Sequence, residues 1–417
     1  MNPGLLYLND YRTQLFDGDQ QRLSEPALLF TGDKQLLSGR DALARARLEP
    51  AKVSSLHWQQ LNQAPLTPAR DGFRHHADLA YQQLTLWLQQ AQHSGPVAVA
   101  TSLPYDTNQQ ALLAGLLNAN GTPMQALAPV ALLQSAGYLQ RTGLHPDAPF
   151  FHLEICQHNA VLTKLSCRDG QLVVLQQTPL PDQGATPLLN QWLNCLAREC
   201  VRQSRYDPLH SADSEQRLFN QLLPSIKQIR AGNLDLDIDG NKIKLDPAWL
   251  TAIARPLNDR IAGQVSEGPL LLSPLAANIP DLPGTLLSDT DLPLGFSLLQ
   301  PALAGAPLKA HQSISFRAPS TDATPLPATH LLAGDQAFAL EGQLHLVRRD
   351  SLWYHNTNGT TPDLSLISKS AIIERLSNGW KSLPLRQNAF VRPGDRLIHP
   401  TLGELRFIRL EASPDGS

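Results

Sequence analysis

Between residues 5 and 300, apolar positions switch repeatedly between a spacing of two and a spacing of three to four. That pattern predicts strands and helices in alternation. Leu5–Leu8 is a short apolar strand, and Thr13–Phe16 is its hairpin partner across a polar bend at Asn9-Asp10-Tyr11-Arg12. Pro26–Phe30 is a third strand and Asp41–Leu48 a short helix. Ala80, Leu84, Trp87, Leu88 and Ala91 mark an amphipathic helix over Ala77–Gln92, stopped by Ser94-Gly95-Pro96. Val97–Thr101 then reads as a buried strand, Asn108–Ala119 as a helix, Met124–Leu127 as a strand and Pro129–Tyr138 as a helix. The scheme restarts at residue 150. Phe151, Leu153 and Ile155 alternate with His152 and Glu154, predicting a half-buried strand, and Val161–Cys167 returns from a turn at Cys156–Asn159. Gln171–Leu175 adds a strand, and helices follow over Pro187–Gln203, Ser214–Ile229 and Pro247–Val265, with a buried strand at Leu270–Leu272.

After residue 300 the pattern changes. Residues 300–329 hold five of the chain's prolines among Ser, Thr and Ala, and read as a linker. Residues 330–417 carry only short alternating runs between Gly, Asn and Pro turns, which predicts a small β-sandwich. The expected organisation is therefore an α/β region over 1–299, a linker over 300–329 and an all-β region over 330–417.

Composition narrows the function classes. In 417 residues, 42% hydrophobic content supports more than one packed core, and a net charge of −3 argues against a general nucleic-acid binder. No apolar run reaches the length of a membrane span, and no basic-then-apolar leader opens the chain. The expectation is a cytoplasmic protein with no membrane insertion. Cys156, Cys167, Cys195 and Cys200 form no CxxC pair, so reduced thiols are expected and no metal site. Asp235, Asp237 and Asp239 alternate with Leu and Ile, the solvated face of a strand rather than a calcium loop. His75-His76 has no acid–thiol partner in sequence and reads as exposed.

The order of elements over residues 5 to 300 resembles the duplicated actin-like (ribonuclease H-like) ATPase fold. It is closest to the 70-kDa heat-shock chaperones and the rod-shape-determining actin homologues. VAVATSLPYDTNQQALLAGLLNANG and ALAPVALLQSAGY resemble the family's strand–proline–helix and Glu-Pro-x-Ala-Ala segments, with Pro104, Gln109, Ala114, Gly121 and Pro129 in place. The resemblance implies two phosphate loops. The first, Asp-x-Gly-Thr in the family, falls on Asn9, Asp10, Tyr11 and Arg12. The second, Asp-x-Gly-Gly-Gly-Thr, falls on Glu154, Ile155, Cys156, Gln157, His158 and Asn159. The first carboxylate is thus an amide, every glycine of both loops is replaced, and the water-orienting glutamate is Ala128. Since triphosphates are bound mainly by backbone N–H groups at close approach, Tyr11, Cys156, Gln157 and His158 are expected to block that space.

Within residues 330–417, HLVRRD, PDLSL and ISKSAI resemble strands of a forkhead-associated domain, a phosphothreonine reader. The resemblance implies a phosphopeptide clamp from Arg348, Ser368 and Lys369, with Asn388 where the family has Asn-Gly. The histidine that props that loop has no match. The expected function is a non-catalytic pseudo-ATPase scaffold or adaptor of a bacterial multi-protein system, with no catalytic residues, no cofactor and no metal. Its partners would be other proteins, including phosphothreonine-bearing ones. One alternative is a divergent chaperone-like ATPase using Glu154 and Asp10 for Mg-ATP. Another is an actin-like component of a secretion or pilus machine.

Overall fold

The computed structural model describes all residues except 1–2, 19, 33–34, 71, 145, 147, 169, 231, 266–267, 304–307, 316–327, 341, 350–351, 357–360, 370–371, 378–380, 383–390, 392, 400–401 and 411–417. The side chains of 368–369, 372–375, 381–382 and 398 also lie outside the described part. Two units emerge: Met1–Ser225 with Asp235–Ala318, and Ile226–Leu234 with Pro319–Ser417.

The first unit is mixed α/β. β1 (Gly4–Leu8), β2 (Thr13–Asp17) and β3 (Gln20–Glu25) form an antiparallel meander. A small sheet of β4 (Leu29–Gly32), β5 (Gln35–Ser38) and, after the one-turn α1 (Arg40–Leu43), β6 (Val53–Ser54) follows. A ribbon of β7 (Pro65–Arg70) and β8 (Phe73–His75) leads into α2 (His76–Ala91). β9 (Val97–Thr101), α3 (Thr107–Ala119), β10 (Met124–Pro129) and α4 (Val130–Thr142) complete this half. β9 pairs parallel to β1, and β10 parallel to β9.

The second half repeats the plan. β11 (Phe150–Ile155), β12 (Ala160–Arg168) and β13 (Gln171–Leu180) form an antiparallel meander. Helices α5 (Ala185–Ser204) and α6 (Ala212–Arg230), the hairpin β14 (Asp235–Ile238) and β15 (Asn241–Lys244), and α7 (Ala248–Gln264) come next. β16 (Leu270–Leu272) then adds parallel to β11, and β17 (Thr285–Leu286) parallel to β16. Each half is thus three antiparallel strands extended by two parallel ones. Parallel strands covered on both faces become continuous apolar runs, as in VAVAT and LLL.

α4 and α8 (Asp291–Leu299) cross between the two sheets. Leu132, Leu133, Ala136 and Leu139 of α4 share a core with Leu292, Phe296 and Leu299 of α8, Leu5 and Tyr7 of the first sheet, and Phe150 and Leu165 of the second. Gly137 and Gly295 permit the crossing, because a Cβ on either would run into the other helix's backbone. At its edge Arg141 donates through Nε to Asp291 Oδ1 at 2.7 Å, and Asp291 is fully buried.

The segment expected to be a linker behaves differently. β18 (Lys309–Ala310) pairs parallel to β10 and β19 (Ser313–Ser315) antiparallel to β13, so residues 309–315 extend one sheet and then the other. The prolines sit around these strands rather than in them, and the first unit runs on to Ala318. β11 also departs from the expectation of a half-buried strand. His152 and Glu154 are as buried as their apolar neighbours, because on their shared face His152 meets Gln134 of α4 and Glu154 meets Tyr7 and Asn9 of the first half. His75 and His76 are not exposed either: the His75 side chain is 18% exposed and its Nδ1 lies 3.3 Å from Asp78. The Asp235–Asp239 alternation is the expected hairpin, with Leu236 and Ile238 inward.

Among its described strands, the second unit is a two-sheet β structure. β20 (His330–Ala333), β21 (Gln336–Ala339), β22 (Gly342–Arg349), β23 (Leu352–His355), β24 (Leu364–Lys369), β25 (Ile372–Leu376), β26 (Lys381–Ser382), β27 (Arg396–His399) and β28 (Gly403–Ile408) form sheets of order β21-β20-β28-β27-β26 and β23-β22-β24-β25. Leu331, Leu397, Leu405 and Phe407 from one sheet pack with Leu344, Leu346, Leu364 and Leu366 from the other.

Candidate functional site

The two halves of the first unit meet at equivalent turns, the bend after β1 and the bend after β11. These are the turns that the sequence marks at Asn9–Arg12 and Cys156–Asn159. Asn9 lies at the centre, fully buried. Its Nδ2 donates to Glu154 Oε1 at 2.9 Å and to the Ile155 carbonyl at 3.0 Å. Its Oδ1 accepts the Tyr11 N–H at 2.8 Å and thereby shapes its own turn. Tyr7, from β1, donates its hydroxyl to the same Glu154 Oε1 at 2.8 Å. Asp10 reaches across in the other direction, with Oδ1 accepting the Gln157 N–H at 2.6 Å. Four polar contacts spanning some 145–147 residues of sequence therefore join the two turns directly.

The second turn is held from its far side as well. Cys156 N–H donates to the Asn159 carbonyl at 2.9 Å. The first N–H groups of α5 approach the turn's carbonyls: Gly184 to His158 O at 3.0 Å, Ala185 to Cys156 O at 2.9 Å and Thr186 to Gln157 O at 2.8 Å. The orphan donors of a helix start are satisfied by the turn itself. Only glycine fits at 184, since a Cβ there would strike the backbone of Cys156, His158 and Asn159. Three of the four side chains expected to fill the phosphate space lead elsewhere. Cys156 enters the apolar core beside Val161, Gln157 donates to Thr186 Oγ1, and His158 Nε2 meets Ser55 Oγ at 3.0 Å. Between the two turns lie the side chains of Tyr7, Asn9 and Asp10, bonded to Glu154, the Ile155 carbonyl and the Gln157 N–H.

Burial changes the acids. Desolvation pushes Asp10 up to about 7, against the pull of the Gln157 N–H. It pushes Glu154 up to about 8, with the Tyr7 hydroxyl pulling the other way. Each carboxyl has one oxygen accepting hydrogen bonds and one, Asp10 Oδ2 or Glu154 Oε2, that is buried without a partner. Burial, then the neighbouring Glu154, raises the Tyr7 phenol well above its ordinary value, and burial raises the Cys156 thiol likewise.

A second set of contacts joins the halves away from these turns. Arg47, beyond α1, donates to Asn190 Oδ1 of α5, lies 3.4 Å from Glu215 Oε1 of α6 and stacks 4.5 Å over the Phe219 ring. Gln216 of α6 accepts the Arg47 N–H at 2.7 Å and donates to the Leu43 carbonyl at 3.2 Å. Tyr7, Thr186 and Arg47 carry no local signal of these roles. Tyr7 reads as one more apolar strand residue, and Arg47 as a surface cation.

Of the residues expected to clamp a phosphopeptide in the second unit, only the Arg348 side chain lies within the described part. Arg348 donates its N–H to Asp363 Oδ2 at 2.7 Å and Nη1 to the Leu402 carbonyl at 2.9 Å. Ser368 pairs with Gly342, six residues along β22 from Arg348, or about 20 Å of strand. The side chains of Ser368 and Lys369, and Asn388 entirely, lie outside the described residues. Among the described residues no cluster of three or more His, Cys, Asp or Glu could hold a metal ion, and no helix is long and apolar enough to cross a membrane. No protein-family model matches the chain, and no curated protein matches it.

Proposed function

We propose that this chain is a non-catalytic relative of the actin-like ATPases, a pseudo-ATPase scaffold that binds other proteins. The topology supports it: two halves of three antiparallel plus two parallel strands, each with a turn where that family holds phosphates. The observation that carries the reading is the direct bonding of those turns, Tyr7 and Asn9 to Glu154 and Asp10 to Gln157 N–H. A triphosphate needs free backbone donors and room for its oxygens. The Gln157 and Cys156 N–H groups are spent within the protein, and one oxygen of each acid is engaged. Mg-ATP therefore does not fit the residues present. Side chains join the two halves directly, with Arg47 adding its contacts to α5 and α6.

Isothermal titration with Mg-ATP, paired with a phosphate-release assay, tests the proposal. We expect no saturable heat and no release above buffer. Micromolar binding with turnover that Glu154→Gln abolishes would sink the scaffold reading and establish the divergent ATPase in its place.

A further inference from the structure

On the outer face of the second sheet, away from the joined turns, lies a pocket of about 510 Å³, a volume typical of small-ligand sites. Strand register builds its floor. Phe151, Lys164 and Gln176 stand side by side across β11, β12 and β13, and Leu162 and Thr178 are paired in the next row. The last residue of α7, Gln264, lines the wall.

We propose that this pocket binds a small organic anion, a carboxylate on a compact apolar body. Lys164 is the sole charged residue in the described lining, and none of the ion pairs found among the described residues involves it. Its ammonium lies 5.7 Å from the Phe151 ring centroid, so its stem runs along an apolar floor while no described carboxylate pairs with the charge. Donors flank it. Gln176 Nε2 donates to Thr178 Oγ1 at 3.2 Å, which leaves the threonine proton free to point at a ligand oxygen. Phe151 and Leu162, buried against the sheet, offer an apolar surface that a bare inorganic anion would not use. A cation is disfavoured by Lys164, and a neutral apolar ligand would strand it without a counter-charge.

The test is a titration of the full-length protein with benzoate, followed by ¹³C NMR of the lysine methylene and Thr178 methyl signals, with hexylammonium as the opposite-charge control. We expect saturable shifts with benzoate at millimolar concentration, none with hexylammonium, and at least a tenfold weaker response in Lys164→Met. That change keeps the apolar stem at a partly exposed site, and an unaltered circular dichroism spectrum certifies its fold. Absence of saturation up to 50 mM benzoate, equal shifts with hexylammonium, or undiminished binding by a folded Lys164→Met protein would each overturn the proposal.

Discussion

Gly137→Ala, a single added methyl group, tests the helix crossing that holds the first unit together. Gly137 sits mid-α4 against α8, and a Cβ built there would lie 2.8 Å from the Gly295 nitrogen and closer still to the Asp291 carbonyl oxygen. In the reciprocal case, a Cβ on Gly295 would lie 2.6 Å from the Leu133 carbonyl carbon. Carbon atoms in ordinary contact are about 3.5–4.0 Å apart, so the helices must part by roughly 1 Å. The obstacles are backbone atoms, and no rotamer change relieves them. A 1 Å gap forfeits up to about half of the dispersion energy along the seam, where Leu292, Phe296 and Leu299 are all nearly inaccessible. Overpacking of this kind costs about 1–3 kcal/mol, and the loosened seam raises the net loss to about 3 kcal/mol, even after ~1 kcal/mol returned by the better helix propensity of alanine. Gly115→Ala is the internal control. It is also mid-helix, in α3, but has no atom within 4 Å of its virtual Cβ, so the same substitution should stabilise by up to ~1 kcal/mol. Urea unfolding followed by tryptophan fluorescence reads the first unit through the buried Trp58, Trp87 and Trp192. If Gly137→Ala unfolds at the same or a higher urea midpoint than the parent protein, the close crossing of α4 and α8 is wrong.

Two further outcomes follow from buried charge. Asp291→Ala removes the buried carboxylate bonded to Arg141 and the acceptor of the Ser288 N–H at 2.7 Å, so it should destabilise by about 3–5 kcal/mol in the same urea experiment; a loss below ~1 kcal/mol would mean the pair is solvated. Asp10 and Glu154 have folded values raised to about 7 and about 8, so the folded state binds more protons than the unfolded state above pH ~4. Their contribution is complete below the unfolded values and is lost as pH rises to about 8. Stability should therefore fall by on the order of 4 kcal/mol per group across that window, and Glu154→Gln should flatten the profile; an equally steep fall in that variant would refute the assignment.

The element plan was largely legible because periodicity reports burial of one face at a time. The parallel strands at Leu5–Leu8, Val97–Thr101 and Leu270–Leu272, and the helices near 77–92, 108–119 and 247–265, all lie where apolar spacing puts them. Weakly apolar strands were missed. Half of Gln20–Glu25 and most of Pro65–Arg70 are exposed, and Lys309–Ala310 and Ser313–Ser315 are strands only because sheet edges offer them partners. Their information resides in the neighbours, not in their own residues.

At the joined turns the division is sharper. The sequence by itself determined that no glycine remains at Asn9–Arg12 or Cys156–Asn159, and that an amide and a carboxylate stand at Asn9 and Glu154. Only the tertiary structure decided what those residues do. It turned His158 to Ser55 and Cys156 into the core, and set Tyr7, Asn9 and Asp10 against Glu154, Ile155 and Gln157. A hydrogen bond across some 147 residues has no trace in local spacing, because it depends on where two sheets come to rest against α4 and α8.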